Sequence, residues 1–332
     1  MSAILRVQDL QTFYVLEVLG TRKVVKAVNG VSLDIHENEV YGIAGESGCG
    51  KTTLLRAMFG NIEPPLRHFG GKVLYRMDGE YLDALSLPLH KSREMRFTYI
   101  AYVPQGSMSI FNPVSKLRAT FMDFLESHVP GTMRKSLLAL AEKHLESLGL
   151  SARVLDAYPH QLSGGMRQRV SIALATLLRP RVILADEPTT ALDVVAQRAV
   201  LQLLAAVQKE LQNTIVLVTH DMGIHATIAT RLGIMYAGKI VEEGYTPDVF
   251  ASPLHPYTQF LIHSLPRIGD KRVRESAPGN PPSLLHLPPG CPFHPRCPYV
   301  LARCREEVPP LLEVTPGHRV ACFLREVNHG TA

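Results

Sequence analysis

Two stretches of this 332-residue chain hold residue types in an order that could do phosphate chemistry. The first is Gly45-Glu46-Ser47-Gly48-Cys49-Gly50-Lys51-Thr52, between the apolar run Val40-Tyr41-Gly42-Ile43-Ala44 and the helix-compatible Thr53-Leu54-Leu55-Arg56-Ala57-Met58. Glycines let backbone N–H groups close on an anion, Lys51 can reach β- and γ-phosphates, and the Thr52 hydroxyl can ligate Mg²⁺. A helix that begins here adds its positive dipole end. The second stretch is Asp186-Glu187, directly after the apolar run Val182-Ile183-Leu184-Ala185. Asp186 can hold Mg²⁺ through water, and Glu187 can polarise an attacking water in metal-assisted phosphoryl transfer. Most Asp-Glu pairs are solvated surface; a place at the end of an apolar strand, downstream of a phosphate loop, favours the chemical reading.

Further candidates lie between and around these. Leu162-Ser163-Gly164-Gly165-Met166-Arg167-Gln168-Arg169 precedes Val170, Ile172, Ala173 and Leu174 at helical intervals. Glycines before a helix can form a second anion site; equally, Ser163 can be a plain N-cap. Two phosphate-binding helix ends in one molecule suggest that each serves a different nucleotide, as a head-to-tail pair of domains permits. Gln105 opens a loop after the run 97–103, and His220 follows Thr219 after Ile215-Val216-Leu217-Val218. Tyr14, placed just after a first strand, offers a ring that can stack on a purine, with neighbouring Phe13 as the alternative. Cys49, two residues from Lys51 and at a helix N-terminus, is expected to favour its thiolate. Alkylation is then expected to abolish turnover unless nucleotide is bound; the alternative is a small residue that fits the loop.

The elements that must position these residues are legible in outline. Residues 4–10 and 24–28 read as two strands joined by a loop near Gly20, an edge β-layer. Residues 72–77 followed by Asp78-Gly79 carry a hairpin signal. Leu137, Ala141, Leu145 and Leu148 recur at helical spacing before Gly149, as do Val200, Leu204, Val207 and Leu211. The unalternating runs 182–185 and 215–218, set between helices, predict parallel strands buried on both faces. Ligands in such sheets bind at the strands' carboxyl ends, where the phosphate loop, Gln105, Asp186, Glu187 and His220 are expected to converge.

Composition narrows the class. A hydrophobic fraction of 46% supports a packed core, and the net charge of +5 is spread along the chain without basic-aromatic interleaving, so nucleic acid is not the indicated partner. Arg6, Asp9 and Gln11 interrupt the start as a secretory segment, and the apolar stretch near 172–178 stops at Arg179-Pro180, too short for a bilayer. The expectation is a cytosolic chain linked to any membrane through partners. After Phe250 the chain becomes proline-punctuated, with 267–289 reading as a linker to Cys291, Cys297, Cys304 and Cys322. In a reducing compartment such a cluster points to metal before disulfides.

Taken together the motifs resemble those of ATP-binding cassette ATPases, in their order: 45–52 as Walker A, Gln105 as Q-loop, 162–168 as signature, Asp186-Glu187 as Walker B, Ala191-Leu192-Asp193 as D-loop and His220 as switch histidine. The resemblance spans residues 4–250. It implies an α/β fold: a P-loop NTPase core with a mainly parallel sheet, an antiparallel β subdomain, a helical signature subdomain and a small cysteine-containing C-terminal extension. Two cassettes would sandwich two ATP molecules. Tyr14, Gly45, Ser47, Gly48, Cys49, Gly50, Lys51, Thr52 and Thr53 would bind ATP on one chain, and Ser163, Gly164 and Gly165 on its companion. Thr52, Gln105 and Asp186 would hold Mg²⁺, Glu187 would be the general base, His220 would contact the γ-phosphate, and Asp193 would cross the interface.

The tail is similar to that of ATPase subunits of oligopeptide, dipeptide and nickel importers: His255-Pro256-Tyr257-Thr258, the segment 289–298, then Cys304 and Cys322. The Met166-containing signature and Thr189-Thr190-Ala191-Leu192-Asp193 resemble the D-type subunit, which pairs with a non-identical F-type ATPase. This implies a cassette over 1–250 and an extension over 251–332, docked on two transmembrane permeases at the cytoplasmic face, with an extracytoplasmic solute-binding protein delivering peptide, oligosaccharide or nickel. The four cysteines would hold a [4Fe–4S] cluster, with zinc or no metal as alternatives. Gln105-Gly106-Ser107 departs from the group, which carries an acidic residue and a proline after the glutamine. An ATPase of a soluble complex, serving phosphonate breakdown or nucleic-acid maintenance, is the competing reading.

Overall fold

The computed structural model describes residues 2–18, 20–106, 110–265 and 277–326. Ser107 and Met108, in the departure after Gln105, and residues 267–276 of the expected linker lie outside them. In chain order the elements are β1 (Ala3–Val18), β2 (Thr21–His36), β3 (Val40–Ala44), α1 (Lys51–Met58), β4 (Leu66–Met77), β5 (Glu80–Asp83), α2 (Leu89–Met95) and β6 (Ile100–Val103). There follow α3 (Leu117–His128), α4 (Arg134–Ser147), α5 (Gly164–Thr176), β7 (Val182–Asp186), α6 (Val194–Leu211) and β8 (Thr214–Val218). The last are α7 (Met222–Ile228), β9 (Arg231–Tyr236), β10 (Lys239–Tyr245), α8 (Thr246–Ala251), α9 (Pro256–His263), β11 (Leu312–Thr315) and β12 (His318–Val320). They form two compact units, one gathering residues 1–86 and 218–332 and the other residues 87–217.

In the first unit, β2-β1-β4-β5 form an antiparallel sheet. β1 and β2 run far longer than the apolar runs at 4–10 and 24–28 predict, and irregularities absorb the mismatches along them: the pairing slips between Val7 and Leu10, where Asp9 has φ +42. Asp78 and Gly79 turn at φ +51 and +88, the two positive angles a two-residue hairpin needs. A second set of strands stands in the order β11-β12-β10-β9-β3, with β3 and β9 parallel and β3 buried throughout.

The C-terminal segment shares this unit's core. Tyr257, Cys291, Phe293, Cys304 and Phe323 pack in one apolar cluster with Ala44, Leu232, Ile234 and Tyr236. Each fully buried side chain of this size contributes about 1.5–3 kcal/mol. Two buried carboxylates on β10 oppose that gain and are therefore saturated. Glu242 accepts from the backbone N–H groups of Leu254 and His255 and from His318 Nε2, each at 2.8 Å. Glu243 accepts from the Tyr41 hydroxyl at 2.9 Å, from Arg231 at 2.6 Å and from Arg319.

In the second unit the strands stand in the order β8-β7-β6, with β6 and β7 parallel and both β7 and β8 buried end to end. The predicted helices are present: α4 buries Leu137, Ala141 and Leu145, and α6 buries Val200, Leu204 and Val207. The run 97–103 is corrected. Its strand begins only at Ile100, because Phe97 turns to φ +65 and packs edge-on against Phe124, ring centroids 5.2 Å apart. Among the described residues, no helix is long and apolar enough to cross a membrane.

Candidate functional site

The phosphate loop leaves β3 at Ala44 and enters α1 at Lys51. Its glycines are dictated by close approach. A Cβ on Gly45 would fall 2.1 Å from the Met235 carbonyl oxygen, and one on Gly50, at φ +112, 2.0 Å from that of Ala27. Gly50 caps α1 without a side-chain hydrogen bond, so the cap residue itself covers none of the first-turn N–H groups. Ser47, Gly48 and Thr52 are exposed. Lys51 is buried and donates to the carbonyl oxygens of Gly45 at 2.7 Å and Glu46 at 2.9 Å. A narrow backbone cradle, a glycine-capped helix N-terminus and an anchored ammonium fit a triphosphate, and the exposed Thr52 fits a Mg²⁺ ligand.

Thr53 is buried in the first turn of α1, and its hydroxyl lies 3.3 Å from that of Tyr14. Tyr14 is half-buried within β1, not after it, because the strand runs on to Val18. Phe13 is withdrawn: it is buried at 8% exposure against Phe69, ring centroids 4.7 Å apart. Cys49 corrects an expectation. Burial pushes its thiol pKa up, and Lys51, 3.7 Å away, only partly offsets this, so the thiol form is favoured. His220 is exposed just after Thr219. Its neighbourhood is set by Asp221, which caps α7, and by His225, whose Nε2 lies 3.2 Å from the Thr219 carbonyl oxygen. His225 is fully buried, and its pKa falls to about 4 because burial penalises the cation.

In the second unit, Asp186 ends β7 at 1% exposure and accepts from the Tyr102 hydroxyl at 2.8 Å. Glu187 takes the left-handed backbone, φ +43, which turns its side chain out of the strand. Gln105 Nε2 at 3.0 Å and Thr190 Oγ1 at 2.7 Å both donate to Glu187 Oε2. Thr190, which in the sequence stands only as part of the D-type resemblance, is a site residue; its position three residues after the Walker-B glutamate brings its hydroxyl to that side chain. Ser163 is the N-cap of α5, accepting from Met166 N–H at 3.3 Å. Gly165 is required by packing, since a Cβ there would lie 2.7 Å from the Ala196 Cβ. Asp193 caps α6, accepting from Ala196 N–H at 2.8 Å. The capping reading of Ser163 thus holds locally, beside any role toward a nucleotide.

Cys291, Cys297, Cys304 and Cys322 are free thiols lining one pocket with His255 and His294. Donor type and number suit a metal, but among the described residues no three His, Cys, Asp or Glu groups are arranged to hold an ion. Without a bound metal, burial pushes the Cys291 thiol up to about 11 and raises those of Cys297 and Cys322. The [4Fe–4S] expectation finds no support in how the described groups are arranged.

An open phosphate loop with an anchored lysine, in a chain that also holds an oriented glutamate after a buried aspartate, defines a P-loop ATPase of the α/β class. The ABC transporter family matches residues 28–190, and the oligopeptide/dipeptide transporter C-terminal region matches residues 241–304. A dipeptide transport ATP-binding protein of Caldanaerobacter subterraneus is 42% identical over 328 residues, covering 98% of each chain. An oligopeptide transport ATP-binding protein of Escherichia coli is 39% identical over 312 residues, 90% of this chain and 88% of that one. An ATP-binding cassette solved as a dimer in a post-hydrolysis state with ADP and Pi is 28% identical, with a TM-score of 0.61 over 73% of this chain and 98% of that one. The chain belongs to the ABC transporter ATPases, in the branch carrying the oligopeptide/dipeptide C-terminal region.

Proposed function

We propose that this chain is the D-type ATP-hydrolysing subunit of a peptide importer, working at the cytoplasmic face of a membrane on two permease subunits, with an extracytoplasmic binding protein delivering the peptide. The observation that carries the reading is the C-terminal segment: the region matching peptide transporters is packed into the core of the unit that bears the phosphate loop. Lys51 and the α1 N–H groups bind the triphosphate, and Tyr14 stacks on the base. Thr52, Asp186 and Gln105 would hold Mg²⁺, which would supply positive charge to the phosphates. Glu187, oriented by Gln105 and Thr190, takes a proton from the attacking water, and His220 senses the γ-phosphate.

Ser163, Gly164, Gly165 and Asp193 serve a companion cassette's nucleotide, and we take that companion to be a non-identical F-type ATPase. Val194 and Val195, 80% and 79% exposed beside Asp193, support an interface there. Residues 1–250 act as the cassette and 251–332 as its extension. The four thiols are proposed as ligands of an iron–sulfur cluster, with zinc as the competing occupant, on donor chemistry alone. Iron and sulfide measured in anaerobically purified protein test this; metal-free protein rejects it. The function itself is tested by reconstituting the chain with candidate permeases and a candidate F-type ATPase of a peptide importer. ATP turnover should rise when binding protein is added with di- to pentapeptides. Stimulation by nickel or oligosaccharide and not by any peptide would overturn the reading.

A further inference from the structure

Arg296 lies between two of the C-terminal cysteines and reaches 250 positions back in the chain to Glu46, the second residue of the phosphate loop. Its Nη1 and Nη2 donate to the two carboxylate oxygens at 2.9 and 3.0 Å, a bidentate pair. The remaining N–H groups are used as well. Nε donates to the Pro278 carbonyl oxygen at 2.8 Å, Nη1 also to the Tyr236 hydroxyl at 3.3 Å, and Nη2 also to the Ala277 carbonyl oxygen at 3.3 Å. All five donors of a guanidinium at 6% exposure are thus engaged, which an ammonium with three donors cannot reproduce. Burial opposes the charge, but Glu46 and Tyr236 hold the pKa of Arg296 above its ordinary value.

Glu46 is held from two other directions. Its backbone N–H donates to the Tyr257 hydroxyl at 2.8 Å, and its carbonyl oxygen accepts from Lys51 at 2.9 Å. Tyr257 and Phe293, from the same C-terminal segment, pack on Tyr236 with ring centroids 4.5 and 5.3 Å away. We propose that Arg296 is a positioning residue for ATP binding: it fixes the Glu46 side chain, and through it the loop backbone that anchors Lys51, and it cancels a negative charge that would repel a triphosphate. The cysteine-bearing segment is on this account a working part of the nucleotide site. The inference rests on the phosphate loop binding ATP, and wild-type protein that fails to bind a nucleotide would refute that reading instead.

The test is calorimetric titration of the full chain with Mg²⁺ and AMP-PNP, a non-hydrolysable ATP analogue, with thermal melting as the folding control. R296M should raise Kd about tenfold, or about 1.4 kcal/mol. The double variant R296M/E46Q should return to within about threefold of wild type, because the orphaned carboxylate is gone. In steady state KM for ATP should rise with Kd while kcat stays within about twofold, since Glu187 is untouched; a purely structural role gives no rescue and no such split. Should R296M fail to melt cooperatively, R296K serves: it keeps the charge and loses the fork, and Kd should rise about threefold. Wild-type Kd in folded R296M or R296K, or a double variant as weak as R296M, overturns the proposal.

Discussion

Replacing Glu187 with glutamine separates catalysis from binding. Both donors that orient the wild-type carboxylate, Gln105 Nε2 at 3.0 Å and Thr190 Oγ1 at 2.7 Å, end on the same oxygen, Oε2. A glutamine whose amide oxygen takes that place keeps both bonds and has the same size, so the local structure survives. What is lost is the proton acceptor. General-base catalysis contributes about 10²–10⁴ in rate, or about 3–5 kcal/mol of barrier, and kcat should fall by that factor while KM for ATP stays within about threefold. Thr190→Ala removes one orienting bond and leaves the base; at about 1 kcal/mol for such a bond it should lower kcat about fivefold. Phosphate release under steady-state and single-turnover conditions, with wild type alongside, measures both. A Glu187→Gln protein turning over within threefold of wild type, or one losing affinity by tenfold at full kcat, refutes the assignment of Glu187 as base.

Three further outcomes follow from burial and stacking. His225 and His255 are neutral in the fold, both held near pKa about 4 by burial. Unfolded chains bind more protons between about pH 4 and 6.5, so each histidine's contribution, about 3 kcal/mol, is complete above pH 6.5 and lost as pH falls toward 4. Denaturant midpoints should drop steeply over that window, and a flat profile would contradict the assignment. Cys49 should react with iodoacetamide at pH 7.5 at least about tenfold more slowly than free glutathione, because its thiol is buried and stays protonated; peptide mapping that finds fast labelling refutes this. Tyr14→Ala should raise KM for ATP about 5- to 100-fold through lost stacking, whereas Tyr14→Phe, losing only the 3.3 Å contact with Thr53, should stay near wild type. Equal KM values for the two variants would remove Tyr14 from the site.

Local chemistry was legible in the sequence because it is encoded locally. The glycines at 45 and 50, the cap at Ser163 and the Asp78-Gly79 hairpin each follow from a few adjacent residues, and the structure places them as read. What failed depended on partners distant in sequence. Cys49 lies near Lys51, but its burial is set by elements that residue spacing does not reveal. The Tyr14 strand outlasts its apolar pattern because it is paired on both sides, with β2 and β4. Arg296 and Tyr257 read as tail residues beside a cysteine motif, and no pattern in the chain announces that both end on Glu46.

The carboxylate of Glu242 carries a consequence for how the chain is made. It is wholly buried, and its partners come from residues 254, 255 and 318, while β12 pairs along β10 beside it. A polypeptide ending near residue 250 would keep that charge inside without its donors and would leave β10 as an open edge, a template for sticking to other chains. Nascent chains meet the same situation on the ribosome. The strands of residues 3–44 emerge first, yet the unit they belong to closes only when β12 has appeared. At about 5–20 residues per second that wait is on the order of ten seconds or more, and for its last part β10 stands made but without the strand that covers its edge.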